Sequence, residues 1–74
     1  MSSPNPEAEE LKARGNALYQ RAKWGAAIDA YTDAILIAPR WLPVLLNRAL
    51  CHLKRKNWNA VREDCLKALD IDRE

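Results

Sequence analysis

Asn47-Arg48-Ala49-Leu50-Cys51-His52-Leu53-Lys54 sits in the middle of a sequence of 74 residues, and Lys12-Ala13-Arg14-Gly15-Asn16 stands one repeat before it. Both stretches read as helix. Outward from them, apolar periodicity and helix breakers divide the chain into four amphipathic segments. Helix one is predicted over 7–22, with Leu11, Gly15, Leu18 and Ala22 on one face. Helix two is predicted over 25–38, with Ala27, Ile28, Tyr31, Ala34, Ile35 and Ala38 as its apolar stripe and Pro39 as its stop. Helix three runs from 42 or 43 to 55, and helix four over 58–72. Connections of a few residues make consecutive helices antiparallel neighbours. Gly15 in mid-helix costs about 1 kcal/mol relative to Ala, so its presence points to a close helix crossing that needs a missing Cβ.

A displacement of 34 residues, the period of one helix–turn–helix repeat, brings the two halves into register. It pairs Leu11 with Leu45, Gly15 with Ala49, Trp24 with Trp58, Ala27 with Val61, and Tyr31 with Cys65. It also pairs Ala34 with Ala68, Ile35 with Leu69, and Ile37 with Ile71. Small residues meet small and large meet large at packing positions. The chain thus resembles the tetratricopeptide repeats. Gly15, Ala27, Tyr31, Ala34 and Pro39 follow that pattern in the first copy; the second keeps Ala49, Ala68 and Trp58 and departs at Val61, Cys65 and Arg73. The fold expected is all-α: two tandem helix-turn-helix repeats, 7–40 and 41–74, making four antiparallel helices of an α-α superhelix, with no third repeat. Gly15 and Ala49 should meet Ala27 and Val61 at the crossings, with Tyr31 and Cys65 filling the gaps beside them and the two Trp covering the turns. Residues 1–6 read as a disordered tail feeding helix one, where Asn5 can cap and Pro6 suits the first helical position. Glu7, Glu9 and Glu10 then lie at the positive end of the helix dipole.

Twelve basic residues against ten acidic ones give a formal net charge of +2, too mild to argue for nucleic acid. No run approaches membrane-spanning length, and the first residues lack the basic and apolar parts of a signal peptide. Two Cys without a secretory segment suggest a reducing, cytoplasmic setting. One His, no Ser-His-Asp arrangement and no Gly-rich phosphate loop leave no catalytic residue to name, so an enzyme is not expected and no cofactor is implied. The acidic residues are read at helix ends and on outer faces. Cys51, His52 and Cys65 are poor metal ligands, because Cys51 and His52 point about 100° apart on a helix and a fourth donor is not evident. They read as buried thiols and a core His, and the compartment argues against a disulfide. Lys54-Arg55-Lys56 reads as a solvated turn with cations at a helix C-terminus. Two repeats leave an apolar edge, for which Leu66, Leu69 and Cys51 are candidates. Two readings stay open there: a fragment of a longer domain, or a truncated or designed unit that self-associates through its C-terminal hairpin.

In a superhelix of hairpins, the first helix of each repeat lines the concave side. Lys12, Asn16, Tyr19 and Lys23 step along helix one, and Pro43, Asn47, Leu50 and Lys54 along helix three. Ammonium and amide groups in two facing rows suit an acidic extended peptide or a free C-terminal carboxylate. Lys12-x-x-Gly15-Asn16 and the stretch from Asn47 to Lys54 resemble the carboxylate-clamp class of tetratricopeptide domains. More narrowly, Gly25 to Thr32, Asn47 to Lys56, Trp58 and Asp64-Cys65 resemble the N-terminal part of the CHIP-type, chaperone-binding U-box ubiquitin ligases, plant-type members especially. The resemblance covers almost all of 8–72. It implies a protein-protein interaction module of the ubiquitin pathway that holds the acidic C-terminal tails, ending in Glu-Glu-Val-Asp, of cytosolic heat-shock chaperones. It assigns Lys12, Asn16 and Asn47 to the terminal carboxylate and last backbone groups, Leu50 to an apolar side chain, and Lys54 to an upstream acidic group. That class draws its remaining cations from a third repeat, and its ligase activity from a U-box, neither of which this sequence contains. Leu46, on an unusually aliphatic helix three, is expected along the groove.

Overall fold

The computed structural model describes residues 5–73, which form four helices: α1 (Pro6–Gln20), α2 (Trp24–Ile37), α3 (Leu42–Lys54) and α4 (Trp58–Asp72). They stack as two hairpins, α1 on α2 and α3 on α4, joined where α3 packs on α2, in a body of 29 × 25 × 16 Å. These are two tetratricopeptide helix–turn–helix units. α1 begins as its residues dictate, with Asn5 Oδ1 accepting from the backbone N–H of Glu7 at 2.8 Å and of Ala8 at 3.3 Å, and Pro6 following at the first helical position. Asn5 and Pro6 therefore belong to the helix rather than to a tail; residues 1–4 of that expected tail, and residue 74, lie outside the described residues.

The first helix of each hairpin ends in the same way. Ala22 and Lys56, one repeat apart, adopt left-handed backbone with φ of 59° and 58°. Each is flanked by paired reverse bonds: Ala22 N–H to Tyr19 O and Lys23 N–H to Leu18 O, then Lys56 N–H to Leu53 O and Asn57 N–H to His52 O. This closure satisfies carbonyls that a helix end leaves free. It stops α1 at Gln20, two residues short of the sequence expectation, and puts Lys23 in the turn at the cap of α2 instead of on the face of α1.

The core lies between the hairpins. Ala27, Tyr31, Ala34 and Ala38 of α2 and its end meet Trp41, Val44 and Cys51, with Leu11, Leu18, Ile28 and Ile35 packed around them. The space left by the absent Cβ of Gly15 is taken by the Tyr31 ring. A Cβ built on residue 15 would lie 2.6 Å from Cδ1 and 2.9 Å from Cζ of that ring. The second hairpin differs. Cys65, the counterpart of Tyr31, is exposed rather than filling a gap, because no described helix covers α4 as α3 covers α2. Cys51 goes the other way: it is fully buried against α2, not part of an open edge. Leu66 and Leu69 are exposed, as expected.

Candidate functional site

α1 and α3 come together beside α2 and form one wall. Asn16, Tyr19 and Gln20 of α1, Tyr31 of α2, and Asn47 and Leu50 of α3 line a hollow of about 270 Å³. At its floor the phenol of Tyr31 donates to Asn16 Oδ1 at 2.5 Å, and Asn47 Nδ2 donates to the same oxygen at 3.2 Å. Two donors on one carbonyl fix the orientation of the Asn16 amide. Among the described residues, the Asn16 amino group and the Asn47 carbonyl oxygen have no hydrogen-bond partner. Tyr31 is 1% exposed. Burial, with smaller contributions from Cys51 and Tyr19, pushes its hydroxyl up to about 12, against a hydrogen bond from Asn47 that favours the ionised form. The phenol is therefore a neutral donor at ordinary pH.

Lys12 and Lys54 stand at opposite ends of this wall, outside the hollow. The Lys12 ammonium lies 5.0 Å from the centre of the Trp41 ring, at the start of α3. The Lys54 ammonium lies 5.7 Å from the centre of the Trp24 ring, which in turn meets Tyr19 edge-on at 5.0 Å. Such cation–π contacts contribute about 0.5–1 kcal/mol at exposed sites. Of the five sequence-expected residues, then, Asn16, Asn47 and Leu50 share the hollow, and Lys12 and Lys54 bracket it on aromatic rests. Leu50 is 45% exposed and offers the wall its apolar surface. Leu46 is exposed on the same helix but does not line the hollow.

The rotation of α3 that aims Asn47 at α1 is held from behind. Arg48, about 100° further round the helix, donates from Nε to Asp64 Oδ2 at 2.9 Å, from Nη2 to Asp64 Oδ1, and from Nη1 to Thr32 Oγ1 at 3.2 Å. Asp64 is 2% exposed, which corrects the reading of every acidic residue as outward-facing. Forked, charge-assisted pairing of this kind is geometrically specific, and here it ties α2, α3 and α4 together. His52 joins at the edge, with Nε2 3.8 Å from Asp64 Oδ2. Burial holds its imidazole below the usual histidine range, although Asp64 works in the other direction. Both cysteines are free thiols, and burial raises that of Cys51. Among the described residues no three His, Cys, Asp or Glu side chains converge as a metal site, and no helix is long and apolar enough to cross a membrane. Sequence reasoning missed the hydroxyl of Tyr31, the Arg48–Asp64 fork and the Trp41 rest. The one signal for the first was Gly15, whose missing side chain admits that ring.

No family model matches this chain. Over 64 residues, 86% of its length, it is 52% identical to the E3 ubiquitin-protein ligase CHIP of Arabidopsis thaliana. Taken with the two stacked hairpins, that likeness decides the kind of chain this is. It is a CHIP-like tetratricopeptide segment. The same CHIP-like segment is 52% identical over 62 residues to dynein axonemal assembly factor 4 of Rattus norvegicus. It is 37% identical over 70 residues to the heat-shock protein cognate (HSC) co-chaperone sgt12 of Aspergillus fumigatus. The matches cover 82% and 95% of the segment. It spans only 23%, 14% and 20% of the three relatives' own lengths.

Proposed function

We propose that this chain is a protein-docking module for the acidic C-terminal tail of a heat-shock chaperone, of the Glu-Glu-Val-Asp kind, and that it works in the cytoplasm as the chaperone-binding part of a co-chaperone or ubiquitin-ligase adaptor. The observation that carries this reading is the Asn16–Asn47 pair, joined through one carbonyl oxygen with a lysine at each end of the wall. The relative named as an HSC co-chaperone supports the class of partner. In this reading the Asn16 amino group and the Lys12 ammonium take the terminal carboxylate. The Asn47 carbonyl accepts the last backbone N–H, Leu50 packs on the tail's apolar side chain, and Lys54 meets an upstream carboxylate. Nothing in these roles makes or breaks a covalent bond; the proposed activity is binding, not catalysis.

Calorimetric titration with a peptide ending in Glu-Glu-Val-Asp tests it. The free acid should bind, more weakly as salt rises, and the C-terminal amide should not. Asn47→Ala should weaken binding more than Lys23→Ala, since Lys23 sits in the turn rather than on the wall. Equal binding of acid and amide, or equal losses in the two variants, contradicts the proposal.

A further inference from the structure

Away from the Asn16–Asn47 wall, two bare faces of opposite character lie on the first hairpin and the last helix. Between α1 and α2 a groove is lined by Leu11, Leu36 and Ile37 and edged by Glu7, Glu10 and Asp33, with Arg14 among them. It continues into a hollow that adds Leu18, Ala30 and a further carboxylate, Asp29. Leu36 is the most exposed large apolar side chain among the described residues, at 77%. On α4, Leu66 and Leu69 are more than half exposed and share a shallow hollow with Lys67, Asp70 and Arg73. The register-equivalent of Leu69 in the first hairpin is Ile35, which packs against the core where α3 lies over α2. No described helix other than α3 touches α4, and α3 lies on its opposite side from these leucines.

We propose that a second copy of this chain docks head to tail, seating Leu66 and Leu69 of its α4 in the α1–α2 groove. Apolar surface meets apolar surface, and the charges around each have opposite sense. Carboxylates predominate around the groove, whereas two cations and one carboxylate surround the leucines. Arg73 is exposed, and its partner among the described residues is Asp70, equally exposed, at 3.3 Å. The contact is heterologous, so a dimer leaves one groove and one α4 face open and assembly grows without closing. Its small apolar area makes it weak, and added salt should weaken it further.

Sedimentation velocity of the full chain over a wide concentration range tests this, with thermal melts as a check that the variants fold. The average mass of the wild type should climb past that of a dimer. Leu36→Lys alone, and Leu66→Gln with Leu69→Gln, should each stay monomeric. An equimolar mixture of the two variants should form dimers that grow no further, because one retains an intact α4 and the other an intact groove. A wild type that stays monomeric overturns the proposal. So does a dimer that stops growing and responds only to the α4 substitutions, since that is a symmetric contact of α4 with itself.

Discussion

Tyr31 joins the packing of the chain to its docking wall. Its ring occupies the space above Gly15, and its hydroxyl orients Asn16. The second hairpin has no such pair: Ala49 stands at the position of Gly15, and Cys65, at the position of Tyr31, is exposed. Gly15→Ala would gain about 1 kcal/mol of helix propensity but force a buried ring to move, at a cost of about 1–3 kcal/mol. A net loss of about 1 kcal/mol is expected in urea denaturation, together with weaker peptide binding as the Tyr31–Asn16 bond is displaced. An unchanged midpoint would mean that the ring has somewhere else to go. The same hydroxyl sets a pH dependence. Its pKa is raised to about 12 in the fold from about 10 in an unfolded chain. The unfolded state therefore gives up the proton first, and the stability it contributes is full below pH 10 and lost as pH rises toward 12. The buried Cys51 thiol, also raised, adds a loss of the same sign beginning at lower pH. In denaturation curves from pH 8 to 12, Tyr31→Phe should be less stable at pH 8 by about 1 kcal/mol yet decline less steeply above pH 10. Parallel declines would show that Tyr31 is not the group titrating.

The end of each leading helix carries avoidable strain. Left-handed backbone costs an L-residue about 1–2 kcal/mol, and Ala22 and Lys56 both adopt it in the structure. Glycine accepts this conformation, at the price of more chain entropy on folding. Ala22→Gly and Lys56→Gly should therefore each stabilise the chain by about 0.5–1 kcal/mol, seen as a rise of a few degrees in the thermal midpoint. A fall in the midpoint for either would contradict the cap reading. These two positions also show why helix ends were harder to read than helices. Ala22 is a strong helix former in an apolar register, so nothing local in the sequence marks it as the stop. Asn5 and Pro39 were legible because their own chemistry dictates a start and an end. Periodicity over α2 and α4 was legible because each stripe is a local pattern.

At the scale of the whole molecule, the 34-residue register carried most of what the sequence could say, since it equates positions without knowing any contact. It put Asn16 and Asn47 on facing helices. It could not show that Asp64 turns inward, because that burial depends on Arg48 reaching across from α3 with Thr32 behind it. Nor could it show Lys12 and Lys54 resting on Trp41 and Trp24, which depends on side-chain reach between helices. The exposed Cys65 was misread because its twin, Tyr31, lies both over Gly15 of its own hairpin and under a following helix, α3, whereas α4 has no second helix over it among the described residues. In the proposed function, two hairpins in register turn two asparagines into one receptor for a free carboxylate. Side-chain amide NMR of the chain, titrated with the Glu-Glu-Val-Asp peptide, tests this most directly. The Asn16 and Asn47 amide resonances should shift together with the free acid and stay in place with the amidated peptide. Shifts confined to other residues, or the same shifts with both peptides, would contradict it.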